Sequence, residues 1–190
     1  GYDERWIKEA TEKRGLLNYR TTADAVPHLL DKKNVDMLTA HGVFTKAELE
    51  SRYEITLENY CKTIIIEANT MVDMAKVQIA PAIEKYVREV AKTAAAKKAL
   101  DPDLACSYET GLVRKLSVLT DRIAVKAEEL ESAVMALSDV DDIGEEAAAI
   151  RDTVLVKMSE LRVACDEAET LTAKSYWPFP TYGDLLFGVK

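Results

Sequence analysis

Two histidines, three cysteines and a surplus of carboxylates are the side chains in this 190-residue sequence that could hold a metal or move a proton. Helical bundles that bind metals place a Glu and a His three residues apart on one helix face. Neither His28 nor His41 has Asp or Glu three residues before it, so that chemistry fails at its first requirement. A capping or surface imidazole is the expectation for both. The stretch Asp139-Val140-Asp141-Asp142-Ile143-Gly144 has the acids and the glycine of a calcium loop, but Ile143 and Ile150 stand where positions five and twelve need oxygen ligands. It reads instead as an acidic helix connection, with Asp141 or Asp142 capping the helix that follows.

Glu58, Asn59 and Glu67 fall near the apolar middle of a long helical pattern and could form a buried polar site. A carboxylate pair with no histidine, glycine loop or cysteine beside it is poor equipment for acid–base catalysis. Cys61, Cys106 and Cys165 are odd in number and far apart, so small buried hydrophobes are expected rather than a disulfide framework or a zinc site. Nothing matches a phosphate-cradling glycine loop, a nucleophile elbow or a dinucleotide fingerprint. Between Glu128 and Glu146 there are acids but no Lys or Arg. That is a solvated face, or a contact surface for a basic patch on a neighbouring subunit.

These side chains must be positioned by helices. Gly and Pro total only 7 and 5, and β-branched runs are nearly absent outside Ile64-Ile65-Ile66. A formal charge of −8 argues against nucleic acid, which is held through a cationic face. No apolar run approaches the ~20 residues that span a bilayer, and no charged-then-apolar leader opens the sequence; a cytoplasmic protein with no membrane contact is expected. The start at Gly1-Tyr2-Asp3, without Met, fits an excised or processed segment, and a cleaved tag would look the same.

An all-α fold follows: an antiparallel bundle of three long helices with short N-terminal helices and an extended aromatic tail. One domain is expected over 1–190, with short helices in 1–44, the bundle in 45–171 and a docked tail in 172–190. Gly15 and Gly42 read as helix stops, Thr22 as a cap, and Thr45 with Glu48 as a capping box. From there Leu49, Tyr53, Leu57, Tyr60, Ile64, Ala68, Met71, Ala75, Ile79, Ala82, Tyr86 and Val90 keep one stripe on a core. Ile55, Ile65, Ile66 and Val72 lie off that stripe, which marks this run as the central helix. Pro81 should bend it near Val77 to Ala80. A second seam runs from Leu112 to Leu137 in steps of three and four, and a third from Ala147 to Ala168.

The sequence then ends on "SYWPFPTYGDLLF", 175 to 187. Tyr176, Trp177, Phe179, Tyr182 and Phe187 would be a solubility liability if exposed, while Pro178 and Pro180 lower the entropy lost on fixing the segment. These five aromatics are the candidate tail anchor, docked on their own bundle or on another domain or subunit. No catalytic, cofactor-binding or metal-binding residue is assigned.

"RGLLNYRTTADA" (14–25), "HGVFTKAELESRYEITLENY" (41–60), "IEANTM" (66–71) and "YWPFPTYGDLLF" (176–187) together resemble the C-terminal region of the type III glutamine synthetases. The resemblance implies a parent glutamate–ammonia ligase that makes glutamine with ATP and Mg through a γ-glutamyl phosphate. It also implies a large ring-stacked homo-oligomer whose metal and nucleotide sites lie upstream. No cofactor is implied for this chain, and its expected partners are the parent's catalytic domain and other subunits. The expected role is non-catalytic, in assembly or stability. Two other readings are a free-standing helical adaptor, binding a protein through its acidic face or aromatic tail, and a small enzyme built on Glu58 and Glu67.

Overall fold

Thr45 and Glu48 open the longest helical run. The Glu48 amide donates to Thr45 Oγ1 at 3.2 Å and the Thr45 amide donates to the Glu48 carboxylate at 2.7 Å, so two amides that a helix start leaves unpaired are satisfied reciprocally. In the computed structural model, which describes residues 3–188 with the Tyr182 side chain excepted, this run is α4 of nine α-helices. They are α1 (Glu4–Lys8), α2 (Thr22–Ala25), α3 (Lys32–Ala40), α4 (Lys46–Asp73), α5 (Ala80–Leu100), α6 (Ser107–Ala136), α7 (Ile143–Ala149), α8 (Leu155–Leu171) and α9 (Tyr182–Leu186). Wide π-helical turns join α4 to α5 (Met74–Ile79) and α7 to α8 (Ile150–Val154). Three long helical runs result, over 46–100, 107–139 and 143–171, and no strand occurs among the described residues.

Local chemistry sets the boundaries. Gly15 and Gly42 have φ of +64° and +65°, a region glycine enters without a Cβ clash. At each, the next amide reaches back over the helix end, Leu16 to the Ala10 carbonyl and Val43 to the Leu38 carbonyl, both at 2.9 Å. The cap of α2 is Thr21 rather than Thr22. Thr21 is still extended, so its hydroxyl can accept from the Asp24 amide, whereas Thr22 is already helical. Asp142 caps α7 by accepting from the amides of Gly144 and Glu145, both at 2.9 Å. The interruption expected before Pro81 takes the form of the widened turn, in which the Ala80 amide bonds to the Ala75 carbonyl five residues back.

The chain divides into two compact units. The first comprises Gly1–Ile64 with Asp139–Asp152. Leu49, Leu57, Cys61, Ala147 and Ile150 are its fully buried residues, and Arg151 is paired with Asp24 of α2. In it a Cβ on Gly144 would lie 2.9 Å from the Tyr53 hydroxyl, so the start of α7 leaves room only for glycine unless Tyr53 shifts.

The second unit comprises Ile65–Ser138 with Thr153–Lys190. Here α6 is the shared element, packed on both α5 and α8. Leu116, Ile123 and Leu130 on α6 are fully buried, as are Ile83 on α5 and Leu161 on α8. The buried seam follows the steps of three and four read from the sequence. The expectation that the first long run is central is corrected, because Ile55 and Ile66 are exposed and only Val72 of the off-stripe residues is buried. That run buries one side only.

Between α6 and α8, Lys126 Nζ donates to Glu129 at 2.9 Å and Glu160 at 2.8 Å, and Lys157 Nζ donates to Glu129 at 2.7 Å. Both carboxyls are held below their ordinary range, Glu129 by Lys157 and then Lys126, and Glu160 by Lys126. Lys97 at the end of α5 pairs with the buried Glu109 of α6 across the turn. This pair gives the basic α5 terminus a fixed partner beyond its own helix dipole.

Candidate functional site

Thr172 ends α8. Its hydroxyl donates to the Ala168 carbonyl at 2.8 Å, its backbone turns extended, and the amides of Tyr176 and Trp177 then bond to the Ala173 carbonyl in a tight turn. This turn sends the aromatic stretch back along the second unit. Tyr176 is half-buried with its ring 5.2 Å from that of Tyr86 on α5. Burial is the main reason the Tyr86 phenol is pushed above its ordinary range, with Tyr108 and Tyr176 adding to it. Trp177 and Phe179 are also half-buried and meet edge to face at 6.3 Å, a preferred aromatic geometry. Together they close one side of a groove of about 300 Å³, whose floor includes Met71, Ile79, Leu161 and Cys165.

The tail then restarts as α9. Thr181 and Asp184 form a second capping box, and Lys174 Nζ donates to Asp184 at 2.6 Å. Lys174 first, then the Thr181 hydroxyl and amide, pull the Asp184 carboxyl down to about 2. The three residues that follow are left outward. Leu185, Leu186 and Phe187 are 69%, 62% and 81% exposed. Of the candidate anchor, Tyr176, Trp177 and Phe179 therefore lie against the second unit, Phe187 faces outward, and the Tyr182 side chain lies outside the described residues. The adjacent Leu185 and Leu186 share the exposure of Phe187, although as aliphatic side chains they do not stand out in an aromatic stretch.

The other candidates scatter. Glu58, Asn59 and Glu67 are all exposed, and Glu58 is paired with Lys62 at 2.7 Å. They do not form the buried polar site that their place in the apolar middle could have allowed: the helical repeat points each of them away from the buried stripe. His28 stacks on Tyr19 with ring centroids 4.1 Å apart and bonds to Asp31 at 2.9 Å; His41 is the C-cap of α3. Cys61, Cys106 and Cys165 are buried free thiols, and burial pushes Cys61 and Cys165 up to about 11, so neither is a nucleophile near neutral pH. Among the described residues no group of three His, Cys, Asp or Glu is placed to hold a metal ion. Among the described residues no helix is long and apolar enough to cross a membrane.

The geometry offers a tail that is held at Tyr176, Trp177 and Phe179 and outward at Leu185, Leu186 and Phe187, and comparison with known proteins gives that surface its context. Residues 1–98 match the family described as glutamine synthetase C-terminal domain. A glutamine synthetase of Butyrivibrio fibrisolvens is 35% identical over 190 residues, 100% of this chain and 27% of that protein. A type-3 glutamine synthetase of Dictyostelium discoideum is 27% identical over 98% of this chain and 26% of its own length. A glutamine synthetase of Bacteroides fragilis (strain YCH46) is 26% identical over the same shares. The chain thus spans about a quarter of the length of the curated relatives it matches. These matches bear out the resemblance carried by the quoted blocks: the chain belongs to the glutamine synthetase C-terminal domain family.

Proposed function

We propose that this chain is a non-catalytic helical domain of a glutamine synthetase and that it supports the assembly or stability of the subunits. In this reading the parent polypeptide is a cytoplasmic glutamate–ammonia ligase, a homo-oligomer that joins glutamate and ammonia using ATP and Mg. The described residues of this chain do not fit the metal, because they bring together no set of three carboxylate, imidazole or thiolate ligands. No step of the ligase reaction is assigned to them.

The observation that carries the proposal is the outward Leu185-Leu186-Phe187 segment at the end of a tail that is otherwise held in place. Three consecutive large apolar residues facing water are unfavourable in a free-standing protein and are the usual mark of a contact surface. Their partner in this reading is the rest of the parent polypeptide, in the same or a neighbouring subunit. Replacing all three with serine in the full-length polypeptide is expected to lower its native mass, read by size exclusion with light scattering, while the melting of the helical bundle stays within a few degrees. An unchanged native mass at micromolar protein would remove the tail from the assembly role.

A further inference from the structure

α6 has a second regular face, opposite the seam that builds the core. Along it Arg114, Val118, Asp121, Val125 and Glu128 recur at steps of four and three, with Met135 seven residues further on. Val118, Val125 and Met135 are 67%, 51% and 71% exposed, and the elements that pack on α6, chiefly α5 and α8, meet its other side. A stripe with apolar residues at this spacing is the pattern by which one helix receives another.

The charges on this face are sorted by position. Arg114 and Lys115 lie in the N-terminal half and Glu128 in the C-terminal half, and none of the three is in an ion pair among the described residues. Between α6 and α8, a groove of about 520 Å³ beside Arg114, Val118 and Arg122 leaves room for further side chains. Gly111 continues the same face one turn earlier. A glycine inside a helix lowers its stability relative to alanine, yet Gly111 has an ordinary φ and, beyond its own stretch of helix, no atom of the described residues lies within 4 Å of where its Cβ would be. Nothing among the described residues requires it.

We infer that this face of α6 pairs antiparallel with the same face of a second copy of the chain. Reversing α6 about a point between Asp121 and Arg122 sets Val118 against Val125. It also brings Arg114 and Lys115 of one copy beside Glu128 of the other, and the bare backbone at Gly111 beside Ser132, while Arg122 stays paired with Glu167 of its own chain at 3.7 Å. The contact is isologous, so every favourable pair occurs twice. A parallel pairing would put Arg114 on Arg114 and Glu128 on Glu128. An unrelated acidic partner would match only the N-terminal half and be repelled by the other. The face is complementary to itself, reversed, and that selects a second copy as its occupant.

A 30-residue helix is about 45 Å long, and one such helix pair covers less than the ~800 Å² per partner of a standard interface. It therefore acts with other subunit contacts rather than alone. The inference rests on the assembly reading and names one surface within it.

The test uses the full-length polypeptide. One variant carries Arg114→Glu with Lys115→Glu, a second carries Glu128→Lys, and a third carries all three. Each of the first two should weaken subunit association about tenfold or more at low salt, because attraction becomes repulsion at both symmetry-related ends. Mixing the first with the second, or using the third, should restore association to within about threefold of the parent, since the charges are again opposite. The exposed positions leave melting of the bundle unchanged. If the first two variants assemble like the parent, or if the third is as weak as they are, the pairing is wrong. Deleting residues 1–190 separates the two claims. Loss of assembly on deletion, with no effect of the charge variants, overturns the pairing alone, whereas no effect of deletion overturns the assembly reading itself.

Discussion

Leu116→Ala is expected to lower the unfolding free energy of the helical bundle by about 2–5 kcal/mol, the range for truncating a fully buried leucine. Leu116 has no exposure and sits on α6, the element that α5 and α8 both pack against. Its loss opens space on the element that both helices pack against. The flanking core positions Leu112 and Leu119 lie one turn away on the same seam and Ile123 two turns away, so the rigid backbone of a 30-residue helix cannot collapse into the space at one point without disturbing its neighbours. The upper half of the range is therefore the expectation. Val118→Ala, two residues on and outward, should cost less than about 0.5 kcal/mol. Denaturant unfolding followed by helical circular dichroism measures both, and equal effects would contradict the assignment of the two faces of α6.

Trp177→Ala with Phe179→Ala is expected to destabilise the tail and its groove by about 3–6 kcal/mol. Full burial of either side chain would make each alanine substitution cost about 3–5 kcal/mol, but both are half-buried, which reduces each by roughly half. Their edge-to-face contact adds about 0.5–1.5 kcal/mol and makes the two effects non-additive, since removing either ring breaks the same pair. Their loss exposes the floor that includes Met71, Ile79, Leu161 and Cys165. The double variant should melt several degrees lower and release residues 173–188 to protease at concentrations that leave the parent uncut. Unchanged melting and unchanged cleavage would mean that the tail contributes no anchoring on this chain.

Much of the fold was legible because helices announce themselves at both ends and along one face. The capping box at Thr45, the stop glycines at 15 and 42 and the seam from Leu112 to Leu137 each follow from local rules, and the structure shows them. What was less legible depends on a third element. Glu58 and Glu67 sit near isoleucines in the sequence, but only the placement of the packing partner shows that this side of the helix is wet. The first long run looked central because it carries extra isoleucines; α6 takes that place because two helices meet it. The aromatic tail was visible as an oddity, whereas its division into a held part and an outward end depends on Lys174 reaching Asp184, a contact across ten residues that no periodicity encodes. The outward stripe of α6 was present in the sequence as a second rhythm of threes and fours. The stronger leucine seam on the opposite face masked it.

Sedimentation velocity of the full-length polypeptide, with and without the region equivalent to residues 1–190 and with glutamine synthesis assayed on the same samples, tests the central claim most directly. The account predicts that deletion lowers the native mass and that synthesis falls in step with dissociation. A deleted polypeptide that keeps its native mass, or one that stays fully assembled yet no longer makes glutamine, would contradict it.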